Sequence, residues 1–212
     1  MLPMGLQLPQ SQSPITYPKL LVVEGQDAFQ FFKALLRHMR LLDQIEIRNF
    51  GGVRDIRTYL RTLVETPGFI QVVTSLGVVR DAETQAESAF KSVCDALKET
   101  RLSVPQGPMA IADGSPKVSV YLLPDCTNPG MLETLCLQSV SNDPAMFCIE
   151  EYFQCLQRQG LPLPDHMPKA RVHTFLSSRK APNLLLGQAA HEGYWPWDSS
   201  VFDQVKQFLQ AL

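Results

Sequence analysis

The chain lacks the short signatures of several well-defined chemistries. It contains no GxxxxGK[ST] phosphate loop, no GxSxG nucleophile elbow, no HExxH zinc helix and no CxxC pair. These absences remove phosphate-loop ATP hydrolysis, elbow-type acyl transfer and helix-borne zinc proteolysis from the leading readings. No local motif singles out a Ser/His/Asp or Cys/His grouping either. The four histidines are scattered, and the five cysteines, Cys94, Cys126, Cys136, Cys148 and Cys155, are an odd number without short paired spacings. Free thiols in a reducing compartment, here the cytoplasm, are therefore expected, and a structural zinc site is not. Cys148 and Cys155 lie seven apart on a predicted helix, where they share a face and are expected to be packed inside. No apolar run approaches the roughly 18 residues that a membrane helix needs, so no membrane partner is expected. The first 18 residues hold no Lys or Arg and are rich in Pro, Gln and Ser. They read as a flexible leader rather than a secretory signal.

What is present is enough apolar sequence for a sizeable core, 45% of 212 residues against 19% charged, which argues against broad disorder. A net charge of −2 exerts no global pull towards nucleic acid or membrane. From residue 19 the pattern alternates short apolar runs with amphipathic segments. Strands are predicted at 20–23, 45–49, 72–79, 118–123 and 172–176. Helices are predicted over 27–42, from Ile56 to Leu63, to about Lys98, over 131–138 and 144–158, and after an N-cap at Asp198 or Ser199. Val201, Val205, Phe208 and Leu212 form the stripe of that last helix. Residues 105–115 read as a Pro/Gly-rich connection, and 162–168 as a local linker too short to mark a domain boundary. The pattern predicts one α/β domain over 19–212, with a mostly parallel sheet sandwiched by helices and extra helices at its C-terminal end.

Open parallel sheets bind ligands beyond the carboxyl ends of their strands, where loops and helix N-termini converge. Acids fall at three such ends: Glu24 with Asp27, Asp81 with Glu83, and Asp125 with Glu133 after it. One acid after a strand is an ordinary helix cap. Three acidic strand ends together repel one another unless a cation sits among them, and hard oxygen ligands suit Mg²⁺ or Mn²⁺. If the segment after the third strand stays extended, Asp81 and Glu83 point the same way. Gly25, Gly51 and Gly52 either make tight turns or let backbone approach a ligand.

Val22-Val23-Glu24-Gly25-Gln26-Asp27, together with Asp81-Ala82-Glu83, resembles the Toprim family, whose domains carry a Glu after the first strand and DxD after the third. The chain more closely resembles an uncharacterised group of prokaryotic Toprim-like proteins. That likeness is carried by Leu76-Gly77-Val78-Val79-Arg80-Asp81-Ala82-Glu83, Leu123-Pro124-Asp125, Pro129-Gly130-Met131-Leu132-Glu133, and Leu186-Gly187-Gln188-Ala189-Ala190 through Gly193-Tyr194-Trp195. A more distant likeness is to the overcoming-lysogenization-defect nucleases. The resemblance implies a Rossmann-like α/β fold. It makes Glu24 a metal ligand or general acid/base and Asp81 and Glu83 metal ligands, with Glu83 longer by a methylene than the family Asp. It also makes Glu133 the later acid of a second metal, and Lys180, with Lys169 competing, the downstream lysine of the nuclease branch.

Two functions follow as expectations. The first is metal-dependent phosphoryl transfer, most concretely phosphodiester hydrolysis on nucleic acid. Seven Lys/Arg between Lys33 and Thr62, among them Arg37, Arg40, Arg48, Arg54, Arg57 and Arg61, would then meet phosphates. The second is a non-catalytic module that binds a ligand or a protein partner, such as a separately encoded ATPase. Tyr194, Trp195 and Trp197 fit either, as base-stacking groups or as anchors of the last helix.

Overall fold

The alternation of buried side chains along each strand explains the architecture. The computed structural model describes residues 13–52 and 56–212. In β1 (Lys19–Val23), Leu21 and Val23 enter one apolar cluster, and Leu20 and Val22 enter another on the opposite face. A strand covered on both faces needs helices on both, and the sequence supplies them. On the first face lie α1 (Gly25–His38), α5 (Leu132–Ser139), α6 (Pro144–Arg158), α7 (Met167–Ser177), α8 (Leu186–His191) and α9 (Asp203–Ala211). On the second lie α2 (Ile56–Glu65), α3 (Phe69–Val72) and α4 (Ala86–Glu99). The fold is α/β, with three layers.

The central sheet is parallel, in the order β2-β1-β3-β4, where β2 is Ile45–Asn49, β3 is Ser75–Asp81 and β4 is Lys117–Leu123. The chain leaves β1 towards β2 on one side, then returns to build β3 and β4 on the other. The reversal of order therefore falls between β1 and β3, and at such a point the loops diverge and leave a crevice. Val23 is opposite both Asn49 and Val79, so β1 and β2 end level while β3 runs two residues further, to Asp81.

Three segments differ from the sequence expectation. The fifth strand expected at 172–176 is instead part of α7. Val172, Phe175 and Leu176 are spaced i, i+3 and i+4 and all are buried, which is a helix stripe. The run was too short and too rich in β-branched and aromatic residues to reveal that period. The linker expected at 162–168 also ends sooner, because Pro168 fits the first turn of α7, where its missing N–H costs nothing. The third strand begins at Ser75 rather than Val72, because Phe69–Val72 coil into a helical turn after Gly68. Gly68 has φ +93°, and a Cβ there would collide with the Ile15 carbonyl oxygen.

The first twelve residues of the expected leader lie outside the described residues. Its end packs against the domain: Ile15 is buried and its N–H donates to the Pro67 carbonyl. At the other terminus Ser199 caps a short 3-10 turn (Ser200–Phe202) that leads into α9. Cys148 and Cys155 are exposed rather than packed inside, because α6 buries the adjacent stripe of Ile149 and Phe153. Among the described residues no helix is long and apolar enough to cross a membrane.

Candidate functional site

At the β1/β3 reversal lies a cavity of about 240 Å³ lined by Glu24, Asp27, Asp81, Glu83, Glu133 and Lys169, with the first turn of α1 and Gly51-Gly52 completing its wall. Each acid arrives by a different local route. Glu24 is the residue after β1 and Asp81 the last of β3, so the strands deliver both. Glu133 stands in the first turn of α5 and Asp27 in the first turn of α1, where acids complement the helix dipole. Glu83 reaches the cavity differently from the extended Asp-x-Glu arrangement expected. Its φ is +55°, and its N–H and carbonyl form a two-way bridge to Gly130, both at 2.8 Å. Holding a non-glycine residue there costs about 1 kcal/mol, which the bridge offsets.

Hydrogen bonds divide these acids by how committed they are. Asp81 Oδ1 accepts from the Leu132 N–H at 3.0 Å, which fastens β3 to the start of α5. Asp27 Oδ1 accepts from the Gly187 N–H at 3.0 Å, which fastens α1 to α8. A Cβ at Gly187 would stand 2.8 Å from the Asp27 carbonyl oxygen, so this approach needs glycine. Glu24 Oε2 is buried with no hydrogen-bond partner.

The electrostatics reflect crowded acids that Arg80 and Lys169 compensate only in part. Burial, then the charges of Glu24 and Glu133, push the Asp81 carboxyl up to about 8, while the Leu132 N–H opposes them. Burial also raises Glu24, against the guanidinium of Arg80, and raises Glu133, against its own N–H and Lys169. Among the described residues no three His, Cys, Asp or Glu side chains converge closely enough to form a ready-made metal cage. The donors therefore surround one space without closing on a single point. The chemistry of the set, with hard oxygens, an orphaned buried carboxylate oxygen and mutual repulsion, nonetheless suits a divalent cation.

Three sequence expectations are placed elsewhere. Asp125 does not line the cavity. Its carboxylate accepts from the backbone and side chains of Thr127 and Asn128 and closes its own turn, which holds its pKa below the usual range despite partial burial. Lys180 is exposed beyond α7 and absent from the cavity wall, whereas Lys169, in the first turn of α7, lines it. The arginines do not gather there: Arg57 and Arg61 pair with Glu99, Arg48 is buried against Glu46, Arg37 meets His191, and Arg54 lies outside the described residues.

The comparison with protein families decides the chain's affiliation, since one family model matches residues 18–212. The chain belongs to the family described as protein of unknown function, DUF3226. No curated protein and no solved structure matches it. The family's matched span thus contains every wall residue of the cavity.

Sequence reasoning did not single out two residues of this region. Asn49, at the end of β2, accepts at Oδ1 from the N–H groups of both Gly25 (2.9 Å) and Gly51 (2.8 Å), and so ties the first turn of α1 to the glycine loop. Arg80 is 6% exposed and stands 3.7 Å from Glu24 Oε2. An Arg inside an otherwise apolar strand run was the available signal for it. Tyr194, Trp195 and Trp197 pack against the core, with Tyr194 Oη accepting from the Ala181 N–H. Trp195 is fully buried, donates to the Leu186 carbonyl and stacks on Phe175, and Trp197 packs on Phe31 and Phe202.

Proposed function

We propose that the β1/β3 cavity binds Mg²⁺ or Mn²⁺ and supports phosphoryl transfer, most concretely phosphodiester hydrolysis. The observation that carries this reading is the crowding of Glu24, Asp81, Glu83 and Glu133 around one cavity, with Glu24 Oε2 unpartnered and the Asp81 carboxyl pushed up to about 8. The Toprim resemblance of Glu24 and of Asp81 with Glu83 supports it, as does the place of the cavity at the reversal of strand order.

Asp81, Glu83 and Glu133 would hold the cation, with Asp81 Oδ1 kept in place by the Leu132 N–H. When bound, a divalent cation supplies Lewis-acid stabilisation of phosphate oxygens and a water of lowered pKa. Glu24, whose carboxyl burial raises above its ordinary range, would face the cation from the end of β1 and could accept a proton at a carboxylate oxygen from a water held there. Lys169, rather than Lys180, places its ammonium against the substrate phosphate, and the amides of the first turn of α1 favour an anion beside them. Gly51 and Gly52 carry no side chains at the cavity wall, which leaves room for a phosphate chain beside them.

Incubating purified protein with Mn²⁺ and single- or double-stranded nucleic acid tests this. Cleavage that falls by about 10²-fold or more in Glu24→Gln is expected. Undiminished cleavage by that variant would remove Glu24 from the mechanism. A non-catalytic cation or ligand module is the second reading, favoured by the lack of a preformed three-ligand cage among the described residues. Saturable Mn²⁺ binding without cleavage of any phosphodiester would select it.

A further inference from the structure

The strand register sets Arg80 beside Glu24. Val23 is opposite Val79 in the parallel β1–β3 pair, so Glu24 and Arg80 each follow by one residue on adjacent strands. Ala86 and Ala89, small and buried on α4, leave room for the guanidinium, whose Nη1 lies 3.5 Å from the Ala89 carbonyl oxygen. Arg80 is 6% exposed and does not line the cavity, whereas Glu24 does. Its Nε has no hydrogen-bond partner, and neither has Glu24 Oε2.

These two orphaned atoms are 3.7 Å apart, while a charge-assisted hydrogen bond closes at about 2.7–2.9 Å. Arg48, the other buried arginine, meets Glu46 at 2.7 Å, so this gap is not a general feature of buried pairs here. The two groups form a loose ion pair in which Arg80 Nε and Glu24 Oε2 each lack a hydrogen bond, although Arg80 Nη1 reaches the Ala89 carbonyl and the Asp81 N–H supports the Glu24 carboxylate. Rotation about the Glu24 side chain relieves that in one of two ways: Oε2 closes on Arg80, or it turns to a positive charge in the cavity.

We propose that Arg80 is a positioning residue that competes with a cavity cation for Glu24, holding the carboxylate when the cavity is empty and releasing it when a cation binds. This rests on the cation reading above and adds to it the control of affinity by a side chain outside the cavity. A cation that draws on Glu24 does so against the pull of the guanidinium 3.7 Å away. Arg80→Gln removes the competing charge, and Arg80→Lys keeps it.

The test is calorimetric titration with Mn²⁺ of the wild type, Arg80→Gln and Arg80→Lys, beside thermal unfolding of Arg80→Gln, Glu24→Gln and the double variant in metal-free buffer. The proposal expects Arg80→Gln to bind Mn²⁺ about tenfold more tightly, since a unit positive charge a few Å from the ligand opposes binding. Arg80→Lys should stay near the wild-type affinity, and the two single-variant shifts in metal-free Tm should be non-additive. Unchanged or weaker Mn²⁺ binding by Arg80→Gln, with the wild type binding, overturns the competition and leaves the cation site standing. Additive Tm shifts overturn the pairing. No Mn²⁺ binding by any of the three proteins overturns the cation reading and this proposal with it. Should Arg80→Gln fail to fold, the Arg80 Nε–H resonance of the wild type decides during Mg²⁺ titration. A saturable shift that Glu24→Gln abolishes supports the proposal, and an unmoved resonance overturns it.

Discussion

Asp81 is pulled two ways: the Leu132 N–H that donates to its Oδ1 favours the ionised carboxylate, while burial and the carboxylates of Glu24, Glu133 and Glu83 oppose it. A carboxyl lifted to about 8 by burial and these neighbours keeps its proton in the folded chain over a range where the unfolded chain, with an Asp near 3.9, has lost it. The folded state then binds more protons, so stability falls as pH rises from about 4 to about 8 and levels off beyond. Glu24 and Glu133, raised in the same direction, add to that slope. Thermal unfolding in the presence of a chelator should therefore show Tm declining between pH 5 and 8. Asp81→Asn, which keeps the oxygen that accepts from Leu132, should flatten the decline and gain at least about 1 kcal/mol at pH 8. A Tm that rises over that interval in the wild type would contradict the crowding. At this scale Glu24, Asp81 and Glu133 were legible, because an acid after a strand or in a first helical turn is placed by local structure. The left-handed Glu83 was not, because its conformation depends on pairing with Gly130, remote in sequence. Asp125 was grouped with the cavity acids because an acid that closes its own turn looks, in sequence, like one that serves a ligand.

Among the elements, α7 does the most to separate what the sequence shows from what it hides. Residues 172–176 carry the β-branched and aromatic composition of a strand, yet Val172, Phe175 and Leu176 make one helical face against the core. Periodicity over five residues cannot tell these apart; the flanking turns of the helix can. Reading residues 172–176 as a strand also left Lys169 and Lys180 as competitors, because the first turn of this helix is what brings Lys169 to the cavity wall. The two lysines can be compared directly by steady-state kinetics on a phosphodiester substrate. Lys169→Ala should lower kcat/KM by about 10-fold or more, as loss of a phosphate contact does, while Lys180→Ala stays within about twofold of the wild type. The reverse pattern would return the role to Lys180. By contrast, α6 and the four strands were legible in position, to within a few residues at their ends. Their apolar runs are bounded by Gly, Pro or Asp, and those boundaries hold whatever packs above them.

For the whole molecule, the strand order β2-β1-β3-β4 makes the site. The sequence announces parallel strands and helices in alternation, and so the fold class. It does not announce which strands are neighbours, because that depends on which face each connecting helix covers. Once β1 and β3 are adjacent, Glu24, Arg80 and Asp81 come together through register alone, and α5 and α7 bring Glu133 and Lys169 over them. The result is a crevice of crowded carboxylates, to which we assign a cation as proposed above. The most direct test is calorimetric titration of the purified chain with Mn²⁺ and Mg²⁺, beside Asp81→Asn. Saturable binding by the wild type that Asp81→Asn loses is the result expected. Equal binding by both proteins, or none by the wild type, would contradict the cation site on which the account rests.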